Sequence, residues 1–125
     1  MARYGHLARR RVTVNININV VDGVSGRPAE GVDVNIVGQS AEEWHHCIRG
    51  LTDSQGNFTY SSGAERLPAR ERYTVELDVD AYFTSLGLMA GYRQISLLVR
   101  IAGAEKDYRI VTLITPFAHA TWSVR

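Results

Sequence analysis

Two short stretches hold the residue types best suited to chemistry. The first is His45-His46-Cys47, the kinds of side chain that ligate zinc or pair as base and nucleophile. The segment around them, EWHHCIRGLT (43–52), reads as a strand, and neighbouring strand residues point to opposite faces. His45 and Cys47 therefore share a face that His46 cannot join. Two donors do not fill a zinc shell, and no second Cys or His motif stands at ligand spacing, so no metal site is expected. Cys47 packed as a small hydrophobe is the plainer reading, with a Cys47 nucleophile served by His45 as the alternative. The second stretch is NININV (15–20), where Asn15, Asn17 and Asn19 alternate with Ile16, Ile18 and Val20. Asparagine is a poor strand former. A row of amides along one strand face asks for polar surroundings, because unsatisfied amides in a dry core are expensive.

The elements that must position these residues show a dense period of two. Val12, Val14, Ile16, Ile18 and Val20 predict a half-buried strand over 12–20. DGVSGRPAEG (22–31) turns the chain, VDVNIVG (32–38) alternates again, and 43–52 is the third strand. DSQGN (53–57) is a hairpin-type turn into FTY (58–60), and YTVELDV (73–79) is the next strand. DAYFTSLGL (80–88) is the helical candidate, with Asp78 or Asp80 as cap and Gly87 as stop. RQISLLVRIAG (93–103), KDYRIVTLIT (106–115) and AHATWSV (118–124) complete about eight strands. Short strands at regular spacing with turn residues between them predict an all-β sandwich or barrel. One domain over 12–125 is expected, preceded by a basic segment, 1–11, that need not be ordered.

Composition removes several function classes. With 125 residues, 45% hydrophobic and a formal net charge of +1, the chain can bury a core and has no overall bias towards nucleic acid or membrane. Arg9-Arg10-Arg11 reads as a solvated end. Cys47 is the lone cysteine, which excludes an intrachain disulfide and suits a reducing compartment. The first residues lead into arginines and not into an apolar run, so a cytoplasmic location without a membrane partner is expected. There is no P-loop, G-x-S-x-G, H-E-x-x-H or dinucleotide fingerprint, and no cofactor is expected. Asp33, Asp53, Asp78 and Asp80 form no obvious acid pair.

The order of short motifs says more. VVDGVSGRPAEGVDVNI (20–36), Trp44 followed by GLTDSQGNF (50–58), YTVELDVDAYFTSLG (73–87) and DYRIVTLITPFAHATWSVR (107–125) appear in succession. Together they resemble the transthyretin and 5-hydroxyisourate hydrolase family from about Val14 onward. The resemblance implies a transthyretin-like two-sheet β-sandwich of about eight strands with one short helix. It also implies a homotetramer, a dimer of dimers joined by edge strands around 94–102 and 118–124, with a ligand channel between the dimers. On that reading Asn17, Asn19 and Val21 line the channel from the first strand. Arg109, Val111 and Leu113 line it from another, and Ala120, Trp122, Val124 and Arg125 from the last.

The chain departs from the hydrolases where their chemistry is done. Asn19 stands where they carry a strand histidine, and Asn57 follows Gly56 where they carry an arginine. Asp107-Tyr108-Arg109-Ile110-Val111 replaces their H-Y-H-V-P segment, and Trp122-Ser123-Val124-Arg125 replaces their closing Tyr-Arg-Gly-Ser. Asparagine takes no proton near neutral pH and arginine stays charged, so neither acts as a general base. Loss of one base typically removes ~10²–10⁴-fold of rate. Ordinary hydroxyisourate hydrolysis is therefore not expected. The favoured expectation is an enzyme of changed substrate, in which Asn19, Arg109 and Asn57 stabilise developing negative charge during a cyclisation, isomerisation or ring opening. The small molecule would be a cyclic or enolisable biosynthetic intermediate. The alternatives are a carrier for an anionic aromatic molecule and a scaffold with an empty channel. Tyr108 lies on the opposite strand face, and His119 is read as interface packing.

Overall fold

The computed structural model describes residues 11–12, 15–39, 45–61, 67–68, 72–100 and 107–124. In chain order the elements are β1 (Arg11–Val12), β2 (Asn15–Asp22), β3 (Arg27–Pro28), β4 (Asp33–Gln39), β5 (His45–Leu51) and β6 (Asn57–Ser61). There follow β7 (Leu67–Pro68), β8 (Arg72–Asp78), helix α1 (Val79–Ser85), β9 (Gln94–Arg100), β10 (Asp107–Ile114) and β11 (His119–Val124). Eight of these strands have five or more residues, as the alternation predicts. One sheet runs β11-β10-β2 and continues on the far side of β2 into β6 and the short β3, and the other runs β5-β4-β8-β9. The fold is an all-β, two-sheet sandwich. The expected first strand, 12–20, differs at its far bound: β2 runs to Asp22, and among the described residues it pairs with β10 and β6 from Asn15, opposite Asp107 and Ser61. Arg11 and Val12 pair instead with Pro68 and Leu67.

The core lies between the sheets. Ile16, Ile18 and Val20 of β2, Ile110 and Ile114 of β10, Val34 and Ile36 of β4, and Tyr73, Val75 and Leu77 of β8 are all buried. Buried positions fall on alternate residues, with Thr112 the polar member of the β10 set, so one face of these four strands is mostly apolar and the other is left for something else. β2 and β10 pair in parallel over eight positions, from Asp107 opposite Asn15 to Ile114 opposite Asp22. The whole second sheet is made between them in sequence, which supplies the long crossover a parallel pair needs.

Asp22 fastens the end of β2 to the helix. Its carboxylate is buried; Oδ1 accepts from the Val24 and Ser25 amides at 2.8 and 3.2 Å, and Oδ2 accepts from the Tyr82 hydroxyl at 2.8 Å. The helix starts at Asp78, whose side chain accepts from the Ala81 amide at 3.0 Å, and it buries Val79, Tyr82 and Phe83. Asp80 is in the first turn and is not the cap, and Gly87 follows the last turn at φ 79°. Thr52 braces the loop before β4 at the same end: its hydroxyl donates to the Ala29 carbonyl at 2.6 Å and accepts from the Val32 amide at 2.9 Å. Gly56 in the β5–β6 turn has φ 78°, and a Cβ there would collide with the Val20 carbonyl oxygen, so any other residue is strained.

Two outcomes are expected in urea denaturation. Tyr82→Phe leaves a buried carboxylate oxygen of Asp22 without its donor and should lower stability by about 1–3 kcal/mol. Burial first, then the hydrogen bond to Asp22 and its negative charge, raise the Tyr82 phenol above its ordinary value of 10.0. A pKa higher in the folded state means full stabilisation below the unfolded value and loss above it. Wild-type stability should therefore fall as pH rises past about 10 more steeply than that of Tyr82→Phe, and equal slopes would show that this phenol is not the titrating group.

Candidate functional site

Alternation along β2 turns Asn15, Asn17, Asn19 and Val21 away from the core, half-buried, while the isoleucines face in. Register then assembles a surface from four strands. Asn57 of β6, Asn19 of β2, Val111 of β10 and Trp122 of β11 form one row across the sheet. Thr59, Asn17, Arg109 and the Val124 position form the next, and Val21, Leu113 and Ala120 a third. Ser61, Asn15 and Asp107 close the other end. Asn17, Asn19, Asn57, Val21, Arg109, Val111, Leu113, Ala120 and Trp122 thus share one outer face. The Val124 side chain and Arg125 lie outside the described residues, as do the side chains of His45, His46 and Cys47.

The amides are bonded across strands and not simply solvated. Asn15 Nδ2 donates to Asp107 Oδ1 at 2.8 Å, and Asn17 Nδ2 to Thr59 Oγ1 at 2.7 Å. Asn19 Nδ2 donates to Asn57 Oδ1 at 2.9 Å and to the Gln55 carbonyl at 3.3 Å. Thr59, Gln55 and Asp107 escaped the sequence reading. The alternation Asn57-Phe58-Thr59-Tyr60 would have put Thr59 beside Asn57, but not opposite Asn17. Arg109 is exposed, and among the described residues no carboxylate forms an ion pair with it. Among the described residues the ion pair formed, Arg49 to Asp33 at 2.8 Å, is on the second sheet. There the guanidinium hydrogen bond holds the Asp33 carboxyl below its ordinary value, against the effect of burial.

Parity puts Tyr108 and His119 on the other face. The His119 ring lies 5.7 Å from that of Tyr92, and its Nδ1 is 3.2 Å from Thr121 Oγ1. Burial raises the Tyr92 phenol, which donates to the Thr115 and Ala118 carbonyls, both at 3.1 Å. Among the described residues no group of three His, Cys, Asp or Glu could hold a metal, and no helix is long and apolar enough to cross a membrane. The face can therefore offer a fixed positive charge, oriented amides and the exposed indole of Trp122.

A two-sheet sandwich with a short helix following β8 and a parallel β2–β10 pair defines the transthyretin-like class of fold. The sequence model of the HIUase/Transthyretin family matches residues 16–123, and the chain belongs to that family. Among solved structures it is similar to transthyretin from Sparus aurata, 23% identical over 87% of this chain and 95% of that one, with a TM-score of 0.72. The 5-hydroxyisourate hydrolase of Klebsiella pneumoniae is 24% identical over 90% and 99% of the two chains, with a TM-score of 0.73. Sea bream transthyretin in complex with thyroxine is 24% identical over 87% and 93%, with a TM-score of 0.72. The family thus contains both hydrolases and transthyretins, and likeness at this identity establishes the fold.

If Arg109 contributes function and not stability, Arg109→Ala should change unfolding free energy by less than about 0.5 kcal/mol, as for other exposed substitutions. A loss above about 1 kcal/mol in urea titration would assign it a structural contact instead.

Proposed function

We propose that the outer face of the β2–β10 sheet is a small-molecule site, enclosed when four chains assemble as a dimer of dimers. On this reading the protein is an enzyme of changed substrate and not a normal 5-hydroxyisourate hydrolase. The observation that carries it is Arg109: an exposed guanidinium without an ion-pair partner among the described residues, beside braced amides and one strand away from Trp122. Such a cation attracts an anionic oxygen, and it stabilises negative charge that develops during reaction without reorganising. Asn57 sits one two-residue step further along the face, beside Asn19, whose amide nitrogen is already committed to the Asn57 and Gln55 oxygens, so on this reading charge stabilisation falls to Arg109 and Asn57 and not to Asn19 as the sequence suggests. The reaction classes this set can serve are those driven by charge stabilisation: cyclisation, isomerisation or ring opening of a small cyclic or enolisable intermediate, without a cofactor.

A second reading, a carrier for an anionic aromatic molecule, has its own support. On the face as described, the rows across the sheet hold no histidine or cysteine, and their one carboxylate, Asp107, is bonded to Asn15. One fold neighbour is in complex with thyroxine, an aromatic molecule. The two readings part on whether the ligand comes back altered.

The first test is the ultraviolet decay of freshly generated 5-hydroxyisourate with and without the protein. The spontaneous rate should be unchanged, and acceleration well above it would overturn the changed-substrate reading. Light scattering should give the mass of four chains; a monomer would leave the face open and remove the channel. An anionic ligand found by screening should bind wild type and lose at least about tenfold in affinity on Arg109→Ala, the cost of a charge-assisted contact.

A further inference from the structure

The amide ladder fixes the direction of its hydrogen bonds as well as its polarity. A backbone carbonyl only accepts, so the Gln55 oxygen 3.3 Å from the Asn19 carboxamide must face the amide nitrogen and not its oxygen. The same logic holds at Asn15, where the partner is a carboxylate oxygen of Asp107 at 2.8 Å. At Asn17 the partner is a hydroxyl, which gives and takes, so the Thr59 contact does not force the assignment. Among the described residues no donor is bonded to Oδ1 of Asn15, Asn17 or Asn19. Where the orientation is forced, the nitrogen is committed to the neighbouring segment and the oxygen is the branch left over.

The turn that holds Asn19 is itself braced. Asp53 Oδ1 accepts from the Gln55 and Asn57 amides, both at 2.9 Å. The Gly56 amide donates to the Asp53 carbonyl at 2.8 Å, and the Gly56 carbonyl accepts from the Val20 amide at 2.8 Å. Both acceptors of Asn19 therefore belong to one rigid unit that Asp53 ties together. Rotating the Asn19 amide by half a turn would set its oxygen against the Gln55 carbonyl oxygen.

We propose that Asn19 is a specificity-determining acceptor: its Oδ1, held outward by the Asp53–Asn57 turn, requires an O–H or N–H donor on the ligand, while Arg109 takes an anionic oxygen of the same molecule. This rests on the small-molecule reading of the face. Arg109 is opposite Asn17, and Asn19 is the next outward residue along β2. The two groups therefore lie on the order of 8 Å apart at their Cβ positions. Trp122, across Val111 from Asn19 and exposed, stands on the strand beside that span. The ligand class is a planar ring with an acid or enolate oxygen at one end and a hydrogen-bond donor at the other. A ligand without the donor leaves a held acceptor desolvated and unmatched, which is the strong form of discrimination. Asp53 acts through the turn and is a positioning residue.

The test is titration calorimetry on the full chain with three probes: 4-hydroxybenzoate, 4-methoxybenzoate and benzoate. The hydroxyl compound should bind at least about tenfold more tightly than either of the others. Asn19→Leu should erase that preference. Asp53→Ala should reduce the preference, and Asp53→Asn, which keeps an acceptor oxygen, should retain it. Equal binding of the three probes, lost together on Arg109→Ala, overturns the acceptor assignment and leaves the small-molecule site standing. Binding of none, or binding indifferent to Arg109→Ala, removes the site reading and the acceptor with it. The wild-type comparison of probes needs no variant, so a substitution that fails to fold leaves the decision intact.

Discussion

The parallel ladder between β2 and β10 is the constraint on which the rest of the molecule depends. Eight consecutive pairs lock these two strands. Their inward residues supply one wall of the core, and their outward residues supply the middle of the candidate site. Because the pair is parallel, its members are far apart in sequence and the second sheet must be laid down between them. Burying Ile16, Ile18 and Val20 therefore also brings Asn17 beside Arg109 and Asn19 beside Val111. Hydrophobic burial and site geometry are here two readings of one register.

The C-terminal end of that ladder is secured by polar groups. Asp22 closes β2 by gathering two loop amides and the Tyr82 hydroxyl, which joins the first sheet to the helix. Thr52 and Asp53 do comparable work at the β5–β6 corner. Thr52 clamps the loop before β4, and Asp53 shapes the turn that holds Asn19. The polar residues nearest the candidate site are thus supported from a corner of the sandwich where two edge strands meet. A site supported in this way resembles a rigid template more than an adaptable loop, and suits electrostatic preorganisation better than induced fit.

Much of this was legible in the sequence, for a definite reason. Strand alternation is local, so the split of β2 into amides and isoleucines, and the common parity of Arg109, Val111 and Leu113, could be read directly. The helix cap at Asp78 and the glycine after the last turn are likewise local signals. Partners across the sheet are not local. Nothing near Asn17 announces Thr59, and Asp22 gives no hint of Tyr82 sixty residues later. Hydrophobic alternation locates the first strand but not its far bound, because pairing with β10 continues as far as Asp22. The resemblance of motif order supplied the sheet arrangement that alternation alone could not.

The two-residue period of β2 also restricts how this protein can change over generations. A single inserted or deleted residue within Asn15–Asp22 would exchange the two faces beyond it, sending isoleucines to the surface and amides into the core. Point substitution can therefore explore the chemistry of the outer face freely, whereas length variation in the strand is closed except in steps of two. Lineages of this fold are expected to diversify their ligands by exchanging side chains at fixed positions along β2, and to accommodate insertions in the loops at its ends.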